Sequence, residues 1–221
     1  MPSFFPAGAA PVFGPLWALA SGALLFSAVL SAQPPKSADR APEVKLIDSH
    51  LVEGAAASAV RVVIYEDLQC PDCAVFREML DKELLPKYKT KVAFEHRDFP
   101  LAKHAWARRA SILSQYFAAQ KPSLAVEYRK WIMRNQKLIT PENFNQKVAE
   151  FSAKHGADPG KAIAALEDDT FQALVQKDFD DGVARGIAKT PTVLVNGEPF
   201  IETFKSSDVI KAIERELNAN P

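Results

Sequence analysis

Two cysteines are the only thiols in this 221-residue chain, and they stand together in Cys70-Pro71-Asp72-Cys73. Thiols so spaced can cycle between disulfide and dithiol, or can contribute to a soft metal site. The residues around them decide between these chemistries. An apolar, β-branched run (Val60, Val62, Val63, Ile64, Tyr65) predicts a buried strand, and a helical pattern carrying Val75, Phe76, Met79, Leu80 and Leu84 follows the pair. Pro71 suits the first helical position, where a missing N–H costs nothing. Cys70 then stands at the helix start, facing unpaired amides and the positive end of the helix dipole. A thiol there ionises more readily, and the thiolate is the reacting species. Cys73, one turn deeper on the same side, is within reach for a disulfide. The pattern is that of a redox dithiol.

Composition narrows the field. Lys plus Arg and Asp plus Glu each total 27, so no global field favours nucleic acid or an anionic membrane surface. The chain is 48% hydrophobic and 24% charged, as a globular protein is. With only two cysteines, a four-cysteine zinc site and a structural disulfide framework are both excluded. There is also no third thiol to mispair. The rival reading is a copper or zinc site that joins both cysteines to His96 or His104. The four histidines lack ligand spacing among themselves, which favours surface or capping positions for each.

No charged side chain precedes Lys36, and Leu16 to Leu30 is mostly apolar. Small residues Ser31 and Ala32 close the run. Residues 1–32 therefore read as a secretory signal cleaved near Ala32 or, since no Lys or Arg precedes the run, as an uncleaved membrane anchor. Residues 33–42 are a linker. The expected location is periplasmic or otherwise extracytoplasmic.

Beyond the linker, Glu43 to Ile47 suits a short edge strand, and Lys91 to Arg97 alternates as a second core strand that ends at Asp98-Phe99-Pro100. From Leu101 to Gly186 the pattern is helical. It predicts helices over Ala105–Phe117 and Leu124–Met133, one capped by Thr140 with Pro141 at its first position, one capped by Asp158, and one over Phe171–Val183. Trp106, Phe117 and Trp131 read as core residues. Thr190 to Val195 is a third strand, Asn196-Gly197 a hairpin turn and Pro199 to Glu202 the return. Ser206 or Ser207 is expected to cap a closing helix through Leu217.

A strand–CxxC–helix unit, a second strand, and a later Thr190-Pro191 heading a hairpin together resemble the thioredoxin fold. The helical block at 101–186, Phe99-Pro100-Leu101, His104 and Thr190-Pro191-Thr192…Val195-Asn196-Gly197 resemble the DsbA-like thiol–disulfide oxidoreductases. The resemblance implies an α/β, thioredoxin-like domain at 43–100 and 187–221, with an inserted helical domain at 101–186. It implies that Cys70 is the exposed attacking cysteine and Cys73 the buried resolving one. Thr190 and a cis Pro191 would then contact substrate, the loop backbone pairing with an incoming peptide.

Many relatives place a buried acid six residues before the first cysteine, where this chain has Ile64; Glu66 and Asp67 are the candidates to replace it. Lys189 stands where the family often has Gly. Asp72 stands where its strongest oxidants have His, so Pro71, Asp72, Glu66 and Asp67 are the candidate pKa-tuning residues. The resemblance implies no cofactor beyond the Cys70–Cys73 disulfide itself. The implied partners are reduced or unfolded secreted polypeptides and a membrane re-oxidase, with no nucleic acid. Too few residues separate the leader from the first core strand for a dimerisation domain, which favours a monomer.

Overall fold

A computed structural model describes His50–Asn220. The expected signal or anchor (1–32), the linker (33–42) and the expected edge strand at 43–47 lie outside these residues. All described residues belong to one compact unit, Leu46–Pro221. Five strands, β1 (Val52–Gly54), β2 (Arg61–Glu66), β3 (Ala93–Asp98), β4 (Thr192–Val195) and β5 (Glu198–Ile201), form one sheet in the order β1-β3-β2-β4-β5. β2 and β3 run parallel, and the other neighbouring pairs are antiparallel. A parallel pair needs a crossover, and the helix that carries the cysteines supplies it.

That helix, α1 (Pro71–Met79), widens into a π-helical turn at Leu80–Leu84 and ends as α2 (Leu85–Tyr88). Pro86 cannot donate to the preceding turn, and a local widening is one way a helix absorbs such a loss. Phe76, Leu80 and Leu84 are buried against Val62, Ile64, Phe94, Val193 and Val195 of the sheet. On the sheet's same side, α8 (Ser206–Ala219) adds Val209, Ala212 and Ile213. Burying each such aliphatic or aromatic side chain contributes ~1.5–3 kcal/mol. Val75, expected on the inward pattern, is 65% exposed. The buried stripe runs through Cys73, Phe76 and Leu80, and Val75 projects off it.

The helices α3 (Ala107–Gln120), α4 (Pro122–Arg134), α5 (Phe144–Lys154), α6 (Pro159–Ala164) and α7 (Asp169–Ala184) lie between β3 and β4 in the chain. Their core of Trp106, Leu113, Phe117, Tyr128, Ile132, Phe144 and Phe151 also takes in Leu68, Cys70 and Cys73. The cysteine pair thus sits where the helical insertion meets the sheet domain. Trp131 packs at the edge of this core, half-buried.

Two helix starts differ from expectation. Thr140 does not begin α5. Its hydroxyl accepts from the Asn143 amide while the Asn143 side chain accepts from the Thr140 amide, closing a turn that delays the helix to Phe144. Neither Ser206 nor Ser207 caps α8: Lys205 is the cap residue, with no side-chain bond, and the Ser207 hydroxyl turns to Asp208. Asp158 does cap α6, accepting from the Gly160 and Lys161 amides.

The β4–β5 hairpin turns at Asn196 and Gly197, whose φ values of 44° and 96° are those of a primed two-residue turn. Gly182 of α7 is needed for a different reason. A Cβ there would lie 2.7 Å from the Phe99 ring and 3.1 Å from Tyr65, so its absence lets α7 seat against the ends of β2 and β3.

Candidate active site

β2 delivers the chain to a short loop at the end of the sheet, and the Cys70 amide closes that loop on the Asp67 carbonyl at 3.0 Å. Cys70 is the N-cap residue of α1 and Pro71 its first residue, as the Pro71 pattern predicts. β4 is antiparallel to β2, with Thr192 opposite Tyr65. The residues just before β4 are therefore brought beside the loop just after β2. There the Cys70 thiol donates to the Thr190 carbonyl at 3.3 Å, and the Thr190–Pro191 peptide is cis.

The two sulfurs, both free thiols, sit in different electrostatic surroundings. A hydrogen bond from the Cys73 side chain is the largest influence on Cys70; burial opposes it, and the Thr190 side chain and the Cys73 and Asp72 amides add to it. Together they bring Cys70 down from 9.0 to about 6. The Thr190 hydroxyl is buried and without a partner in the dithiol state, so it is free to donate to a thiolate. Cys73 moves the opposite way. Burial pushes its thiol up, donation to Cys70 and the Cys70 charge push it further, and the Glu66 carboxylate adds to the rise. The Asp67 amide, donating to the Cys73 sulfur at 3.4 Å, is a lesser opposing effect.

The candidate acids are now placed. Glu66 is buried, contacts His96 Nδ1, and accepts from Arg129 Nη2 at 3.0 Å. Burial works against its ionised form, but Arg129 and His96 outweigh that and hold it down at about 2. Arg129 also donates to Asp98 at 2.9 Å, and His96 Nε2 lies 3.0 Å from Glu53. Glu66 therefore acts on Cys73 as a fixed negative charge. Asp67 is buried as well, but its carboxylate staples loops: Oδ1 accepts from the Gln69 amide at 2.7 Å, and Oδ2 from the Leu101 amide at 2.8 Å and from His104 Nδ1 at 2.7 Å. Asp72 is exposed, and it favours the Cys70 thiolate through its backbone amide. Lys189 is paired with Glu202 at 2.6 Å.

Of the four histidines, His155 does stand at a helix C-cap, but His96 and His104 are more than surface or capping residues. His96 is buried between two glutamates, and His104 is bonded to Asp67. Among the described residues no group of three or more His, Cys, Asp or Glu side chains is placed to hold a metal ion. The metal reading is therefore not favoured.

Two residues that position the site carry no signal in the sequence. Gln136 Nε2, from the insertion, donates at 3.0 Å to both the Leu68 and Cys70 carbonyls. Gln69 Oε1 accepts from the Trp106 amide at 2.8 Å. These bonds fasten the cysteine loop to the helical insertion from both sides.

A dithiol split in acidity at the N terminus of the crossover helix, beside a cis-proline loop on a thioredoxin-type sheet, is the site of a thioredoxin-fold thiol protein. The family model described as "Thioredoxin" matches residues 47–215. Disulfide bond formation protein D of Bacillus subtilis is 27% identical over 176 residues, covering 75% of this chain and 76% of that protein. The crystal structure of oxidised BdbD from B. subtilis superposes with a TM-score of 0.67 at 22% identity, over 76% of this chain and 93% of that one. That of α-DsbA1 from Wolbachia pipientis gives a TM-score of 0.66 at 15% identity, over 76% and 91% respectively. The chain belongs to the thioredoxin family, and it shares its fold, helical insertion included, with these DsbA-like structures.

Proposed function

We propose that the chain donates disulfides to reduced, exported polypeptides through its Cys-Pro-Asp-Cys pair. A substrate thiolate attacks Cys70 Sγ of the Cys70–Cys73 disulfide, and the electron pair of the broken S–S bond goes to Cys73. A second substrate thiol then attacks the substrate sulfur of the mixed disulfide, and Cys70 leaves as a thiolate. Cys70 is the attacked and attacking sulfur, Cys73 the resolving one, and Thr190 and Pro191 line the peptide's path. The observation that carries this reading is the divergence of the two thiols, Cys70 drawn down to about 6 while Cys73 is driven up. Stabilising the Cys70 thiolate stabilises the dithiol form, which makes the disulfide the stronger oxidant.

The export arm of the proposal rests on the charge-free apolar leader. Among the described residues no helix is long and apolar enough to cross a membrane. An extracytoplasmic oxidase needs a partner to restore its disulfide, and the family resemblance supports a membrane re-oxidase. Clients of a monomer with this site are extended chains with accessible cysteines.

The test is to give catalytic amounts of the protein, with oxidised glutathione as terminal oxidant, to a reduced, unfolded polypeptide and follow disulfide formation, with Cys70→Ser and Cys73→Ser alongside. Cys70→Ser is expected to be inert; Cys73→Ser, which cannot form the intramolecular disulfide, is expected to lose turnover and, when offered a polypeptide that carries a disulfide, to trap it as a stable mixed disulfide through Cys70. Multiple turnovers by Cys70→Ser would overturn the assignment.

A further inference from the structure

The side chains of Asp67 and His104 are not among the main influences on either sulfur's acidity, yet His104 lines the same open cleft as the reacting sulfur. The cleft, about 310 Å³, is lined by Cys70, Asp72, Lys103, His104, Thr190 and Glu202. The Asp67 side chain is fully buried and the His104 side chain bonded to it is 15% exposed. The carboxylate Oδ2 accepts from His104 Nδ1 at 2.7 Å, and the same oxygen is held by the Leu101 amide at 2.8 Å. A carboxylate on Nδ1 fixes both the ring's orientation and its tautomer: Nδ1 carries the proton and Nε2 keeps its lone pair. An imidazole backed by a carboxylate, in one cleft with a reacting sulfur, is an arrangement that activates thiols.

The chemistry leaves a task for such a base. A cysteine thiol in an unfolded polypeptide has an ordinary pKa of about 8.5 and is mostly protonated near neutrality, so it must lose a proton before it can attack. Of the side chains that line the cleft, Lys103 is a cation and Thr190 a hydroxyl, Asp72 is exposed, and Glu202 is engaged by Lys189.

We infer that His104, oriented by Asp67, is the general base that takes the proton from the substrate thiol as it attacks Cys70. This rests on the disulfide-donor reading above. The substrate S–H bond breaks and its proton passes to His104 Nε2. The substrate sulfur then forms a bond to Cys70 Sγ, and the Cys70–Cys73 bond breaks with its electron pair on Cys73. Cys73 takes up one proton from water, and His104 returns its proton to water, so one proton leaves the substrate and one arrives at the enzyme. Asp67 is the positioning residue and His104 the catalytic one.

The experiment compares two reductants of the oxidised, full-length protein, followed by stopped flow. One is a short peptide with a single cysteine, whose alkyl thiol needs deprotonation. The other is 2-nitro-5-thiobenzoate, an aryl thiol already ionised at neutral pH. The variant is His104→Asn, whose side-chain N–H can replace Nδ1 as donor to Asp67 while the base is lost. General bases typically contribute 10²–10⁴-fold, so the ratio of peptide rate to aryl rate is expected to fall by at least about ten-fold in the variant. A structural defect slows both reductants together and leaves the ratio unchanged, and that result overturns the inference, as does a variant with wild-type rates. If the wild-type disulfide reacts with neither reductant, the disulfide-donor reading itself fails and this inference with it.

Discussion

The two cysteines share one helical turn and yet differ in acidity, because donors and burial are divided unequally between them. Cys70 collects the Cys73 thiol, the Thr190 side chain and two helix-start amides, while Cys73 is enclosed and faces the Glu66 charge. In the reduced protein the rate of carbamidomethylation by iodoacetamide is therefore expected to rise with a midpoint near pH 6, about three units below an ordinary thiol, with Cys73 protected at 0% exposure. A midpoint above pH 8 for Cys70 in the native state would remove the basis for its assignment. Asp72 can be tested at the same scale. Its amide assists Cys70, but its exposed carboxylate puts a negative charge beside a developing thiolate. Asp72→His removes that charge, and each unit by which Cys70 falls raises the potential by about 30 mV in a two-electron couple. Equilibration with glutathione is expected to show the variant to be the more oxidising; an equal or lower potential contradicts the argument.

At the scale of elements, the insertion and the sheet are joined by buried charge as well as by apolar packing. Arg129 of α4 reaches Glu66 on β2 and Asp98 on β3, and His96 on β3 joins Glu66 to Glu53 on β1. Removing the cation leaves two carboxylates buried without their partner, which typically costs ~3–5 kcal/mol. Arg129→Met keeps most of the side-chain volume, so its loss of stability in urea at pH 7 measures the charge and not a cavity. A cost below ~1 kcal/mol would mean that the network is solvated. This network was hidden in the sequence because its members come one each from β1, β2 and α4 and two from β3, and no local period relates residues on different elements. By contrast β2 to β5, the CxxC helix and the Asn196-Gly197 hairpin rest on local chemistry and could be read directly, whereas the three-residue β1 carries no such signal and the Thr190-Pro191 approach comes only from the family resemblance. The α5 start sits between these cases: Thr140-Pro141 carries the right residues, but Asn143 diverts them into a turn.

At the scale of the whole molecule, the redox state and the stability of the fold are coupled, and pH exposes the coupling. In the reduced protein Cys70 titrates near 6 when folded and near 9.0 when unfolded. Below about pH 6 both states carry the thiol and nothing is gained. Between about 6 and 9 the unfolded chain binds the extra proton, so the stability of the reduced form rises with pH, and the full contribution is present above 9. Cys73 has the opposite sign: its folded pKa is raised, so above about 9 it ionises only in the unfolded chain and stability recedes. The oxidised protein has neither thiol. Its cross-link closes so short a loop that the chain-entropy contribution is only about 2 kcal/mol, and that contribution does not vary with pH. The difference in Tm between reduced and oxidised protein, measured by calorimetry in matched buffers, is therefore expected to move in favour of the reduced form from pH 6 to 9 and to turn over beyond. Since every other titrating group is common to both forms, a flat difference across that range would show that the folded protein does not hold Cys70 as a thiolate, and the oxidising direction would lose its driving force.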